Sequence, residues 1–325
     1  MARYFLTGTA GFIAARVAEL LLDNGHTVVG LDNLNAAYDV TLKNWRLDRL
    51  KSRENFTFIN GDIVNRDQLD KIWEEHAPFD AVINLAAQAG VRRSVSNPWV
   101  YIDTNTTGTL NLLDLCQRYE VPKFVLSSTS SLYGTHNSMP YSEDADTSRP
   151  LSPYAASKKA AEAISYSYHH LYGIDVTVFR YFTVYGPAGR PDMAALRFVQ
   201  WINEGRPLHV YGDGKQSRDF TYVDDIARGT IAGLRPLGYE VINLGSDHPL
   251  VLMDIIRKME KKIGKEANLI FEERHIADVT ATWANIEKAE ELLNWRPQID
   301  IDEGLDRLVS WYDENRQWAK DIVTL

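Results

Sequence analysis

The segment Thr7-Gly8-Thr9-Ala10-Gly11-Phe12-Ile13-Ala14 lies between a β-branched apolar run, RYFLTG, and the start of an amphipathic one. It must therefore turn a strand tightly into a helix. Glycines at such a junction let backbone N–H groups at the helix N-terminus approach a pyrophosphate. The spacing alone is weak, because Gly186 and Gly189 repeat it. Its place directly after the first strand makes it informative. Ala14 stands where a third glycine is usual, but that position serves helix–strand packing and a methyl group can be accommodated there.

The same alternation continues along the first half. TVVGLD, FTFIN, DAVINLAA, KFVLSS and DVTVFRYF read as strands, with helices from Phe12, around Leu42, from Arg66, and near 98–119 and 153–172. Strands alternating with helices require parallel crossovers, and nearly continuous apolar strands are those covered on both faces. The expected fold class is therefore α/β, a doubly wound parallel sheet. Beyond about residue 182 the pattern turns irregular, with Pro and Gly clusters at 186–191 and 211–214 and shorter helices near 194–204, 251–263 and 285–294. Residues 1–181 are expected to form the nucleotide-binding domain. Residues 182–325 are expected to form mainly a smaller α/β substrate domain, with some segments returning to the first. A ligand site is expected between the two, outside the carboxyl ends of the strands.

Composition narrows the ligand. A net charge of -9 (35 basic, 44 acidic residues) repels a polyanion, and no basic stripe offers nucleic acid a surface. No apolar stretch approaches the length of a membrane span, and the start lacks a basic leader, so a cytoplasmic, membrane-free protein is expected. The single cysteine, Cys116, lies in an apolar helical run and reads as a buried structural thiol. Any phosphate must be held locally. Asp32 ends the second strand 24 residues after Gly8, where a carboxylate accepts both adenosine ribose hydroxyls and repels a 2′-phosphate. NAD is therefore expected rather than NADP. Gly8, Gly11, Phe12 and Ile13 would hold the pyrophosphate turn, with Asn33 beside Asp32. Asp62 and Ile63 would line the adenine, and residues 84–87 (Asn84, Leu85, Ala86, Ala87) would pass beneath the cofactor.

Tyr154 and Lys158 are four apart on an expected helix, hence on one face. A phenol of ordinary pKa near 10 is a poor base at neutral pH, but an ammonium and a nicotinamide cation both favour the phenolate. Tyr119 and Lys123 share the spacing, but Pro122 intervenes and Lys123 begins a strand. The run Ser127-Ser128-Thr129-Ser130-Ser131 ends the fifth strand and offers hydroxyls to the reacting oxygen.

These motifs resemble the extended short-chain dehydrogenases that modify nucleotide sugars, essentially end to end. The likeness rests on TGTAGFI at 7–13, NLAA at 84–87, SSTSSLYG at 127–134, YAASK at 154–158, RYFTVYGP at 180–187 and RDFTYVDD at 218–225. Within that family AGVRRSVSNP at 89–98, MPYSED at 139–144, residues 170–193 and TWANI at 282–286 look most like UDP-glucuronate 4-epimerases. The resemblance implies a Rossmann-type fold, Thr129 as catalytic hydroxyl, Tyr154 as base, Lys158 as its activator, and Tyr181 among the cofactor contacts. Dehydrating relatives carry Asp-Glu after the Thr129 position, and decarboxylating ones a Glu at the Ser131 position. Here Ser130 and Ser131 stand instead, which leaves oxidation followed by reduction.

For the substrate, Arg190 in GRPDM resembles the family's carboxylate-binding arginine, where a guanidinium can hold the charge bidentately, near Thr183 and Ser130. Relatives acting on neutral UDP-galactose typically carry Asn at the Thr183 position. Arg218, Arg92 and Asp278 resemble the contacts to the diphosphate and uridine, although Ile276 and Ala277 replace the usual Pro-Gly pair. The implied reaction is NAD-dependent C4 epimerisation of UDP-glucuronate through a 4-keto sugar, by a homodimer joined through the helices near 98–119 and 153–172. The alternatives are a UDP-galactose or N-acetylhexosamine 4-epimerase, a UDP-glucuronate decarboxylase and a non-catalytic NAD-binding protein.

Overall fold

The computed structural model describes residues 1–273 and 279–324. Among these, seven strands form one parallel sheet in the order β3-β2-β1-β4-β5-β6-β10. They are β1 (Arg3–Thr7), β2 (Thr27–Asp32), β3 (Phe56–Asn60), β4 (Ala81–Asn84), β5 (Lys123–Thr129), β6 (Asp175–Tyr181) and β10 (Tyr239–Leu244). The strand order reverses between β1 and β4, so the loops after these two strands diverge to opposite faces and leave a crevice.

Side chains alternate across the sheet. Tyr4 and Leu6 of β1 and Val125 of β5 enter one core, while Phe5, Phe124 and Leu126 enter the other. That two-residue period is why each strand reads as nearly continuous in apolar residues. Ala14 is buried in the first of these cores, so the methyl that replaces the third glycine packs between helix and sheet. Cys116 is buried in the second, and burial pushes its thiol well above the usual range.

The rest of the chain forms a three-stranded sheet and a two-stranded one. The first has the order β11-β9-β7, from β7 (Thr183–Tyr185), β9 (Ser217–Tyr222) and β11 (Pro249–Val251); the second pairs β8 (Pro207–Tyr211) with β12 (Asn268–Glu272). The Ala194–Glu204, Leu252–Ile263 and Ile301–Ala319 helices enclose their core, which Phe12 and Leu42 also enter. The Val223–Ala232 helix packs back on the Phe12–Asp23 helix, and Arg16 bonds Asp224 at 2.8 Å across that contact.

Several elements differ from expectation, among them the five short strands of the two smaller sheets and the Val223–Ala232 helix. Strand β10, which closes the main sheet, and the Ile301–Ala319 helix are not among the expected elements. The helix expected near 98–119 is broken into Trp99–Tyr101, a π-helical turn Ile102–Thr107, and Gly108–Arg118. The break carries a function in the fold. Asn105 in the wide turn donates to Gln88 O at 3.0 Å and Ser157 Oγ at 2.9 Å and accepts from Gln88 N at 2.9 Å, tying the loop after β4 to the Pro153–Tyr172 helix.

Candidate active site

A cavity of ≈ 740 Å³ opens at the crevice. Its floor is backbone. Gly8 adopts φ +73°, and a Cβ there would lie 2.8 Å from Ala86 N and 2.9 Å from its Cα; one on Gly11 would lie 2.7 Å from Gly8 O. The turn is held by Gly8 N donating to Leu31 O at 2.7 Å and Gly11 N to Gly8 O at 2.7 Å. This side-chain-free cradle at the N-terminus of the Phe12–Asp23 helix fits a dinucleotide pyrophosphate. Asp32 faces the same space, its carboxylate accepting from Ala10 N at 3.1 Å and Leu34 N at 2.8 Å, with Lys43 Nζ at 3.6 Å. Gly8→Ala is expected to force the backbone at Leu85 and Ala86 aside and to cost roughly 1–3 kcal/mol in backbone strain. The purified variant should carry far less nucleotide, measured by release on denaturation, whereas retention equal to wild type would show that the cradle is not where the pyrophosphate sits.

The cavity wall gathers the expected residues. Phe12, Ile13, Asn33, Asp62, Ile63, Leu85, Ala86, Ala87 and Tyr181 line it, as do Thr129, Tyr154 and Lys158. Asn33 donates to Asp62 at 2.8 Å, joining the loops after β2 and β3. Asn84 is an exception. It is buried beneath the site, accepting from Thr7 Oγ1 at 2.7 Å and donating to Thr109 Oγ1 at 3.0 Å, so it braces β1 against β4 rather than meeting a ligand.

Tyr154 opens the Pro153–Tyr172 helix, whose first turn is set by Pro153 and by Ser152 accepting from Ala155 N at 3.2 Å. Lys158 lies one turn on, its Nζ donating to Ser127 O at 2.8 Å. The helix is pinned in this register by Glu162, which was not among the expected site residues and which no local spacing marks. Its carboxylate accepts from Ser128 Oγ at 2.6 Å and from Arg180 Nε at 3.0 Å and Nη2 at 2.9 Å, all buried. Thr129 Oγ1 donates to Ser131 Oγ at 3.1 Å and accepts from Ser131 N at 3.1 Å, which fixes the hydroxyl at the end of β5.

Electrostatics separate the two titrating groups. Burial raises the Tyr154 phenol above its ordinary value, against the opposing pull of Thr129 and Arg190. Burial lowers the Lys158 ammonium to about 8, against the opposing charge of Glu162. Treated as a coupled pair, the two hold two protons at low pH and lose the first near pH 8. The state with one proton contains the phenolate–ammonium form that a base needs. Activity should therefore rise with pH through an apparent pKa near or below 8, since a bound nicotinamide cation favours loss of the same proton. A kcat/KM profile that falls across that range would contradict this pairing.

The expected substrate contacts meet the same cavity. Ser130, Ser131, Thr183, Arg92, Arg190 and Arg218 all line it. Arg218 donates to Ser217 O at 2.8 Å and Val279 O at 2.9 Å, and Arg92 stacks over Tyr211 at 4.0 Å. Asp278 lies outside the described residues. Arg190 departs from simple expectation: its Nε and Nη2 are engaged side by side by Asp192, with Nε–Oδ1 at 3.1 Å. An incoming carboxylate must use the remaining edge of the guanidinium or displace Asp192.

Lys43, Asp192, Arg197 and Tyr211 also line the cavity and were not among the expected contacts. For Lys43 a signal existed. Positions 43, 46, 47 and 50 share one face of the Val40–Lys51 helix, and Leu47 and Leu50 mark that face as buried, so Lys43 and Arg46 had to be buried cations.

Comparison with known proteins gives one family match and three similar proteins. The family described as NAD dependent epimerase/dehydratase matches residues 4–245. The UDP-glucuronate 4-epimerase of Thermodesulfobacterium geofontis is 57% identical over 323 residues, 99% of each chain. The crystal structure of UDP-glucuronic acid 4-epimerase from Bacillus cereus in complex with UDP-glucuronic acid and NAD superposes with a TM-score of 0.90 at 38% identity, covering 96% of this chain and 99% of that one. UDP-glucose 4-epimerase from Thermotoga maritima, solved with UDP-glucose, gives a TM-score of 0.89 at 30% identity, covering 97% of this chain and 99% of that one.

Proposed function

Because the chain belongs to the NAD dependent epimerase/dehydratase family, we propose that it is an NAD-dependent UDP-sugar epimerase that interconverts UDP-glucuronate and UDP-galacturonate by inverting C4. The carrying observation is one cavity lined by a glycine cradle, the pair Tyr154 and Lys158, and Arg190, which we read as the anchor of a sugar carboxylate. The end-to-end identity to a UDP-glucuronate 4-epimerase supports the acidic substrate over the neutral UDP-hexoses.

Gly8, Gly11, Asp32 and the loops after β3 and β4 would hold NAD, which when bound would supply a hydride acceptor at C4 and the hydride's return to the opposite face. Tyr154 takes the proton of the C4 hydroxyl as the ketone forms and gives it back when the ring has turned. Thr129 holds the C4 oxygen beside Tyr154, and Lys158 supplies the positive charge that favours the phenolate. Arg92 and Arg218 hold the diphosphate, so the sugar rotates about a fixed anchor. The 4-keto uronate is a β-keto acid and loses CO₂ readily once its carboxylate bond aligns with the ketone. Arg190, Thr183 and Ser130 restrain that carboxylate out of alignment. Neither Ser130 nor Ser131 offers a carboxylate for elimination, which separates this site from dehydrating and decarboxylating chemistries.

The decisive test is to incubate the purified protein with UDP-glucuronate without added NAD and to follow the sugar protons by NMR. UDP-galacturonate should appear; a protein inert even with NAD added, yet active on UDP-galactose, would return the substrate to the neutral hexoses. A homodimer belongs to the same proposal. Trp99 is 75% exposed, and Leu110, Tyr166, Leu171 and Tyr172 are exposed on the helices expected at the interface, leaving an apolar face for a second copy.

A further inference from the structure

Arg46 lies on the Val40–Lys51 helix and is 3% exposed. All five of its N–H donors are used. Nη1 donates to Ala10 O at 3.0 Å and Tyr38 Oη at 2.8 Å; Nε donates to Ala188 O at 3.0 Å; Nη2 donates to Ala188 O at 2.6 Å and Gly189 O at 3.1 Å. None of these partners is a carboxylate. A buried guanidinium is costly, and here three carbonyls, a phenol and the flanking ring of Phe12 at 5.9 Å are what offset that cost. The two ends of this contact set are 178 residues apart in sequence, from Ala10 to Ala188, and both belong to the site: Ala10 sits inside the glycine cradle and Gly189 directly precedes Arg190.

The loop end is also strained. Ala188 has φ +50°, a conformation that a residue with a Cβ keeps only where its surroundings over-determine it. Arg46 supplies that determination through two bonds to the Ala188 carbonyl and one to its neighbour. We propose that Arg46 is a positioning residue that ties the cofactor cradle to the carboxylate loop, so that the placing of Arg190, and through it the fate of the keto intermediate, depends on a side chain that touches neither ligand. This rests on the reading of Arg190 as the carboxylate anchor. A loosened loop lets the carboxylate swing into alignment. In that leak the C5–C6 bond breaks, its electron pair passes into the C4 ketone as an enolate, CO₂ leaves, and a solvent proton adds at C5. Reduced cofactor is left in equal amount.

The test compares wild type, Arg46→Lys and Ala188→Gly as purified holoenzymes. Lysine keeps the charge but cannot span both loops, while glycine suits φ +50° and loosens only the loop end. Four quantities are read: KM for UDP-glucuronate, the ratio of CO₂ to UDP-galacturonate, NAD affinity, and the thermal midpoint. Arg46→Lys should raise KM and the CO₂ ratio and weaken NAD binding, each by about 10- to 100-fold. Ala188→Gly should shift KM and the CO₂ ratio in the same direction and leave NAD affinity unchanged. An Arg46→Lys protein that melts earlier but keeps wild-type KM, NAD affinity and product ratio overturns the proposal. If that variant does not fold, wild-type behaviour of Ala188→Gly overturns it instead. Wild-type protein inert toward UDP-glucuronate would sink the substrate reading alone, and the NAD affinity of Arg46→Lys would still decide the role of Arg46.

Discussion

Tyr154→Phe is expected to lower kcat by on the order of 10³-fold, within the range a positioned acid–base group supplies, while the protein keeps its NAD. The asymmetry follows from where the phenol sits. Tyr154 meets the cavity at the start of the Pro153–Tyr172 helix, packed edge-on against Tyr101 with ring centroids 6.1 Å apart. Phenylalanine preserves that packing and the helix start, so fold and cofactor cradle are untouched. What is lost is the cavity-lining phenol that bonds Thr129, one helical turn from Lys158. The measurement is the NMR assay on UDP-glucuronate beside quantitation of nucleotide released on denaturation. Turnover above a tenth of wild type would remove Tyr154 from the role of base; loss of NAD together with turnover would make it a structural residue.

Arg190→His is the second large effect. Imidazole is shorter, mostly neutral at pH 7, and cannot reproduce the planar fork of a guanidinium. A charge-assisted contact to a carboxylate is worth about 1.5–3 kcal/mol, so KM for UDP-glucuronate should rise by roughly 10- to 150-fold. UDP-galactose, which has no carboxylate, should respond little. The same change should release CO₂, because the restraint on the keto acid is gone. The Arg190–Asp192 pair sharpens the expectation: although burial opposes it, Arg190 holds the Asp192 carboxyl below its usual range, so Asp192 is charged at neutral pH and already occupies one edge of the fork. Arg190→His therefore also strands a partly buried anion, and part of the loss in affinity will come from that. Paired kinetics on the acidic and neutral sugar, with trapped CO₂, measure both parts. Unchanged kinetics and product would sink Arg190 as the carboxylate anchor.

What could be read from the chain was whatever local spacing encodes. The Gly8–Gly11 turn, Asp32 at a strand end, the hydroxyl run around Thr129, and Tyr154 with Lys158 each depend on neighbours within one or two turns or at a strand terminus, and all of these line the cavity. The Ile301–Ala319 helix also had a local signal, with Asp300 accepting from Glu303 N at 2.9 Å and Leu305, Leu308, Val309 and Tyr312 on its buried face. Its amphipathic period is diluted by Trp311 and Trp318, which pack with Trp45 of a distant helix.

The sequence by itself determined the parallel sheet, the cofactor turn and the chemical groups of the reaction, because hydrophobic period, glycine freedom and the kind of functional group are carried by short segments. Tertiary structure decided which groups meet. Strand β10 joins β6 across more than fifty residues, Glu162 locks the helix of Tyr154 to β5 and β6, Asp192 takes the fork of Arg190, and Arg46 reaches from Ala10 to Ala188. None of these pairings leaves a periodic trace, since a hydrogen bond between distant segments is fixed by sheet order and core packing rather than by the residues that flank either partner.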